Sequence, residues 1–178
     1  MTAADAGQAR SLQVLLDKQE IHEVLLRQAR AFDRRDEALF ETIYHAGAQR
    51  LTPDGYLPQP DAQLATIRSY DAERPPSSHI IGNHLIEVED DVAFSEAYFV
   101  IVWQSSEDGA ALTHMRGGRY LDRFERRDGA WRIAFRVITD DWSQVSEGQK
   151  LDVSRHAYPG RPSREDPLYV ALREGKVP

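Results

Sequence analysis

The sequence predicts an α+β fold in which N-terminal helices pack on a strongly curved antiparallel meander sheet and enclose a cavity. Three observations carry this expectation. Apolar residues recur at helical spacing from Ser11 to about Arg34, a two-residue alternation takes over from His79, and the strand-like runs are joined by short turns. The last of those turns is Asp128-Gly129, the strongest short hairpin signal in the chain. Helices that precede such a sheet must cover one of its faces.

Residues 1–10 are small and polar and read as a frayed terminus. The first helix places Leu12, Leu15, Leu16, Ile21, Val24, Leu25, Gln28, Ala29 and Phe32 on one side, with Glu20, Glu23, Arg27 and Arg30 outside. The charged corner DRRDE turns the chain into a short helix over Ala38–Tyr44, with Leu39, Phe40 and Ile43 inward. Leu51–Gln63 reads as a loop, because Pro53, Gly55, Pro58 and Pro60 punctuate it. A third helix is expected over Ala62–Ala72, stopped by Pro75-Pro76. Strands follow at His79–Glu89, Ala93–Gln104, Leu112–Arg127 and Trp131–Trp142. The polar tail Ser143–Pro178 reads as an extension, with an ordered patch at Pro167–Leu172, that packs on the domain or on a neighbouring subunit. One domain over 11–142 thus lies between a short N-terminal segment and this tail.

Composition narrows the function. A chain of 178 residues suits one domain with a real core. An apolar fraction of 41% and a charged fraction of 29% are those of an ordinary globular protein. No apolar run approaches the roughly 20 residues that span a bilayer, and the N-terminus lacks the marks of a signal peptide. The expectation is a cytoplasmic protein without a membrane partner. A net charge of −7 with no basic face argues against nucleic acid. Zero cysteines remove disulfides, thiolate metal sites and a cysteine nucleophile. His79, His84, Asp33 and Glu87 have no metal-ligand spacing, and no glycine-rich loop joins a strand to a helix, so neither a metal nor a nucleotide cofactor is expected.

Two ionisable residues sit in otherwise apolar elements: Asp33 ends the first helix and His79 opens the first strand of the meander. Such groups are costly to bury unless paired or used. One reading makes Asp33 a partner of Arg34 or Arg35 at the corner, and His79 a strand-start histidine. The other makes them a dyad in which the carboxylate fixes the imidazole tautomer and the imidazole abstracts a proton. On the last strand, strict alternation sends Trp131, Ile133, Phe135 and Val137 to one face and Arg132, Ala134, Arg136, Ile138 and Asp140 to the other. The mixed second face suits a cavity wall or a half-exposed edge. Arg136 there either meets an anion or forms a salt bridge with Glu96 or Asp140. Gln28 either donates to a substrate or is a satisfied core amide. The odd separation puts His84 opposite His79, while His114 is expected to line the cavity; His22, His45 and His156 read as surface or corner residues. Gly117-Gly118 marks a bulge or a close backbone approach.

The order of helix, Asp33, short helix, proline loop, helix, His79 and meander, with the string RYLDRFERRDGAWRI (Arg119–Ile133), resembles the SnoaL-like branch of the nuclear transport factor 2-like superfamily over Leu12–Trp142. That resemblance implies a cone-shaped α+β barrel. Within the superfamily the chain is similar to the group of scytalone dehydratase and hexachlorocyclohexane dehydrochlorinase, which run cofactor-free eliminations with an Asp–His pair. Carried over by position, the resemblance implies His79 as base, Asp33 as its orienter, Arg136 as the last-strand arginine and Gln28 as the polar residue of the first helix. Phe32 stands where the dehydratase has a tyrosine, and Tyr98 and Phe99 stand near its second histidine; Tyr44 or Tyr56 could substitute. The expected substrate is small, hydrophobic and cyclic or aromatic, and it would be bound by Gln28, Phe32, Tyr44, Tyr56, Tyr98, His114 and Ile138. An isomerase using the same base and a non-catalytic ligand-binding module are the alternatives. The Trp131/Ile133/Phe135/Val137 face, together with the resemblance, implies a homo-oligomer, a trimer before a dimer.

Overall fold

The computed structural model describes residues 3–70, 77–107, 109–148 and 160–174. In chain order the elements are α1 (Ala3–Arg34), α2 (Glu37–Phe40), β1 (Tyr44–Thr52), β2 (Gly55–Pro58), α3 (Asp61–Arg68), β3 (Ser78–Glu89), β4 (Val92–Glu107), β5 (Ala110–Arg127), β6 (Ala130–Gly148) and α4 (Pro167–Glu174). The helices and the curved six-stranded sheet, in the order β2-β1-β6-β5-β4-β3, form a cone-shaped α+β fold.

Only part of α1 uses its apolar stripe for packing. Ile21, Val24 and Leu25 are fully buried, whereas Leu12, Leu15 and Leu16 are at least half exposed. The packed portion begins at Asp17, whose buried carboxylate accepts from Trp131 Nε1 (3.0 Å) and Arg126 Nη1 (2.7 Å). This charge-assisted contact pins α1 to β5 and β6. The helix ends at the charged corner, where Arg35 takes a positive φ of 51° and the Asp36 N–H donates back to the Ala31 carbonyl at 2.9 Å. Asp36 then caps α2 by accepting from the Leu39 N–H. Its other oxygen accepts from the Tyr169 hydroxyl of α4 at 2.6 Å, which ties residues 160–174 to the same corner.

The sheet has two strands that the sequence hides. The second helix stops at Phe40, and Tyr44–Thr52 is a strand parallel to β6, so the sheet is mixed and not a pure antiparallel meander. A register shift between Tyr44 and Gln49, with Gly47 at φ 77°, breaks the two-residue alternation that would have marked it. Pro53 and Gly55, read as loop residues, turn the chain into edge strand β2, where the absent N–H of Pro58 is tolerated, and Pro60 stands at the N-cap of α3. The third helix starts one residue earlier than expected and ends at Arg68. Strands β4, β5 and β6 overrun their expected ends, with β6 continuing to Gly148.

Bulges also reassign faces. In β6 the pairing jumps from Phe124–Ile133 to Arg123–Phe135, so Ala134 is the extra residue. Trp131 and Ile133 therefore share the inner face with Arg136, while Phe135 and Val137 turn outward; the single apolar face expected from alternation is split. In β3 the shift between Ile81 and His84 puts His84 on the same inner face as His79, not opposite it. His84 there meets His22 of α1, with Nδ1 to Nδ1 at 2.9 Å. His45 is buried instead of lying at the surface, and it bonds the Glu125 carbonyl through Nε2 at 2.8 Å. His156 lies outside the described residues. At Gly118 a Cβ would stand 1.9 Å from the Thr139 carbonyl oxygen, and at Gly117 it would enter the Trp142 ring, so the strand can bend here only without side chains.

Among the described residues, no helix is long and apolar enough to cross a membrane, and no group of three or more His, Asp or Glu could hold a metal ion.

Candidate active site

The end of α1 and the start of β3 meet at one point. Asp33 Oδ1 lies 2.7 Å from His79 Nδ1 and accepts from Ser77 Oγ at 2.9 Å, while Oδ2 accepts from the His79 backbone N–H at 3.0 Å. Both side chains are nearly buried, at 14% and 11% exposure. An ionised carboxylate can only accept, so Nδ1 is the donor in this contact, and in the neutral imidazole Nε2 presents the lone pair. Among the described residues nothing hydrogen-bonds Nε2. Phe32 packs beside the imidazole with ring centroids 5.4 Å apart. Asp33 is not consumed by the side chains of Arg34 or Arg35: Arg34 pairs with Asp166, and the Asp33 contact it makes is to the backbone carbonyl.

His79 forms part of the wall of a cavity of about 260 Å³ between the helices and the concave sheet. Phe32, Ile101, Trp103, Tyr120 and Ile138 supply its apolar surface, and Gln28, Arg50, Gln63 and Arg116 its polar one. Aromatic and aliphatic walls combined with convergent polar groups are what small-molecule sites require, and here the polar share is about as large as the apolar one. A larger depression of about 430 Å³ lies on the other face of the sheet, among Leu85, Phe94, Leu121, Phe135 and Val137, away from the dyad.

Beneath the cavity runs a buried polar network. Arg136 is fully buried and donates from Nε and Nη2 to the two oxygens of Asp122, each at 2.6 Å. Its Nη1 donates to the Tyr44 hydroxyl (3.1 Å), which also accepts from Gln28 Nε2 (3.1 Å) and donates to Gln63 Oε1 (3.0 Å). The guanidinium lies 4.0 Å from the Tyr120 ring centroid. Burial pushes the Asp122 carboxyl up against the pull of Arg136. At Arg136 burial acts downward, but Asp122 and the neighbouring phenols outweigh it and hold the group above the usual arginine value. These directions compete for one proton. The two parallel short contacts fit a charged fork, so we take the pair as ionised. Burial raises Tyr44 strongly and Tyr120 to about 12, so both phenols remain protonated donors at neutral pH.

The expected site residues are thus only partly brought together. Gln28, Phe32, His79 and Ile138 line the cavity, and Asp33 supports His79 from behind. Tyr44 lies just under the wall in the polar network. Arg136 does not reach the cavity surface, and its partner is Asp122, the residue opposite it on β5, not Glu96 or Asp140, which bind Arg119 and Arg116. Tyr56 and Tyr98 are about half exposed or more, away from the cavity, and Tyr56 packs on the outward Phe135. His114 does not line the cavity: it stands opposite Trp103 on the neighbouring strand, stacked on it at 4.9 Å and bonded to Ser105 Oγ at 2.8 Å. Arg50, Gln63, Trp103, Arg116 and Tyr120 were not anticipated. Gln63 carried a readable signal, since it is the polar member of the buried face of α3 beside Leu64 and Ile67. Arg50 carried none, because its strand was not recognisable.

Comparison with known proteins agrees with this architecture. A hexachlorocyclohexane dehydrochlorinase from Novosphingobium barchaimii superposes with a TM-score of 0.67 at 19% identity, covering 79% of this chain and 97% of that one. A candidate scytalone dehydratase from Novosphingobium aromaticivorans gives 0.63 at 15% identity, covering 78% and 93%. A protein from Kribbella flavida gives 0.65 at 18% identity, covering 74% and 95%. At these identities the likeness is one of fold. No curated protein matches the chain. The SnoaL-like domain family matches residues 13–137, a span running from α1 through the Asp33–His79 contact to Val137 on β6, and the chain belongs to that family.

Proposed function

We propose that the protein is a cofactor-independent lyase that eliminates water or halide from a small cyclic or aromatic molecule. The observation that carries this reading is the 2.7 Å contact of Asp33 with His79 Nδ1 at the wall of a cavity with both polar and apolar lining, which keeps the proton of the neutral imidazole on Nδ1. In its neutral form the imidazole accepts a carbon-bound proton at Nε2, and Asp33 stabilises the imidazolium as it forms. Tyr120, a residue of the cavity wall whose phenol burial keeps protonated, would donate to an oxygen on which negative charge develops. Arg136 acts through Tyr44 and Tyr120 as a positioning residue. The dehydrochlorinase and dehydratase among the structural neighbours favour elimination over other uses of the same base.

A panel of cyclic β-hydroxy ketones and chlorinated cyclohexanes, followed by ultraviolet absorbance of the new double bond, tests the proposal. His79→Ala and Asp33→Asn should each lower turnover at least about a hundredfold while the far-ultraviolet circular dichroism stays unchanged. Full activity in both variants would exclude the dyad.

We further propose that the outward depression of the sheet is covered by a second copy of the chain. Leu85 is 73% and Phe94 51% exposed there, beside Phe135 and Val137. Glu87, Glu96 and Arg123 in the same patch supply both charge signs for a self-complementary contact.

A further inference from the structure

The cavity wall contains a cation that the network beneath it does not explain. Arg50 stands beside Arg136 in the parallel pairing of β1 with β6. Arg136 is cancelled by Asp122, and Arg116, the other arginine of the wall, is held by Asp140. Arg50 makes no hydrogen bond or ion pair with any described residue, and its Nε is sealed from solvent without an acceptor. A second group in the wall is also unfilled. Gln28 is 3% exposed, and its Nε2 is committed to Tyr44, which leaves Oε1 buried without a donor among the described residues. Buried donors and acceptors are almost always paired, so an unpaired cation and an unpaired acceptor lining one cavity point to a ligand that supplies both partners.

Resting on the lyase reading above, we infer that the substrate is an acid: a cyclic carboxylate whose anionic group is bound by Arg50, whose ring lies among Phe32, Trp103 and Tyr120, and which offers an N–H or O–H to Gln28 Oε1. The planar guanidinium matches a carboxylate with two parallel hydrogen bonds. Its charge also offsets that of the substrate, which would otherwise oppose removal of a further proton by His79.

Benzoate and its neutral isostere benzamide separate this inference from the chemistry, because binding is read without turnover. Both are titrated into ¹⁵N-labelled protein, with the Trp103 indole and the His79 ring as reporters. Benzoate is expected to bind at least about tenfold more tightly than benzamide, and the preference should shrink with added salt. Arg50→Met should abolish the preference, Arg50→Lys should keep part of it, and His79→Ala should leave it intact. Equal binding of the two probes, no binding of benzoate, or a preference that survives Arg50→Met would each overturn the inference. Should Arg50→Met fail to fold, the wild-type comparison and Arg50→Lys decide. Loss of the carboxylate preference alongside normal His79-dependent turnover would refute the acid substrate alone; the converse would refute the base alone.

Discussion

Replacing Asp122 by Asn tests the polar network under the cavity while nearly preserving its shape. Both side chains of the pair are fully sealed from solvent, and two of the three guanidinium nitrogens of Arg136 bind Asp122 at 2.6 Å. The substitution leaves the cation with neutral partners only, namely the Tyr44 hydroxyl, the Tyr120 ring and the new amide oxygen. Breaking one side of such a pair costs about 3–5 kcal/mol. For a domain of this size that corresponds to a fall in Tm of about 6–20 °C. Urea unfolding followed by tryptophan fluorescence measures it, with Arg136→Met combined with Asp122→Leu as the control. The double variant should recover most of the stability, because it removes the buried charge along with its partner. A loss below about 1 kcal/mol in Asp122→Asn would mean that Arg136 is not a buried cation, and its proposed hold on Tyr44 and Tyr120 would fall with it.

The pair of His22 and His84 predicts a pH effect on stability. Burial first, then His22, lowers His84 to about 4, below its unfolded value of about 6.5, so folding favours the neutral ring. The contribution is fully present above about pH 6.5 and is lost as pH falls towards 4; the penalty is on the order of 1–3 kcal/mol. Urea midpoints measured between pH 7 and pH 4.5 should fall less steeply for His84→Asn than for the wild type. Light scattering at micromolar concentration should give the mass of an oligomer, and Phe94→Glu with Phe135→Glu should convert it to a monomer. A wild-type monomer mass would refute the second copy on the outer face.

The packed part of the first helix, the third helix and the four long strands were legible because strongly periodic segments announce themselves. What the sequence concealed was local irregularity. One extra residue at Ala134 exchanges the faces of β6 beyond Ile133, which moves Arg136 into the core and Phe135 outward. A second bulge brings His84 round to the side of His79. Alternation cannot register such insertions, and a single slip inverts every later assignment. The strand carrying Arg50 was lost for the same reason, through the shift around Gly47. Asp33 and His79 were recognisable as costly groups in apolar elements. Their 46-residue separation gave no local sign of contact, and the resemblance to an elimination family was needed to pair them. Asp122 could have been matched to Arg136 only with the β5–β6 register in hand.

Whether His79 can act as a base is decided by which nitrogen of its neutral ring carries the proton. Long-range ¹H–¹⁵N correlation spectra of histidine-labelled protein at pH 7.5 report which ring nitrogen carries the proton, and His79→Ala assigns the signal. The Nδ1–H tautomer is expected for His79 in the wild type, because Asp33 accepts at 2.7 Å, and it should be lost in Asp33→Asn. An Nε2–H tautomer in the wild-type protein would contradict it, since the nitrogen facing the cavity would then have no lone pair with which to take a proton.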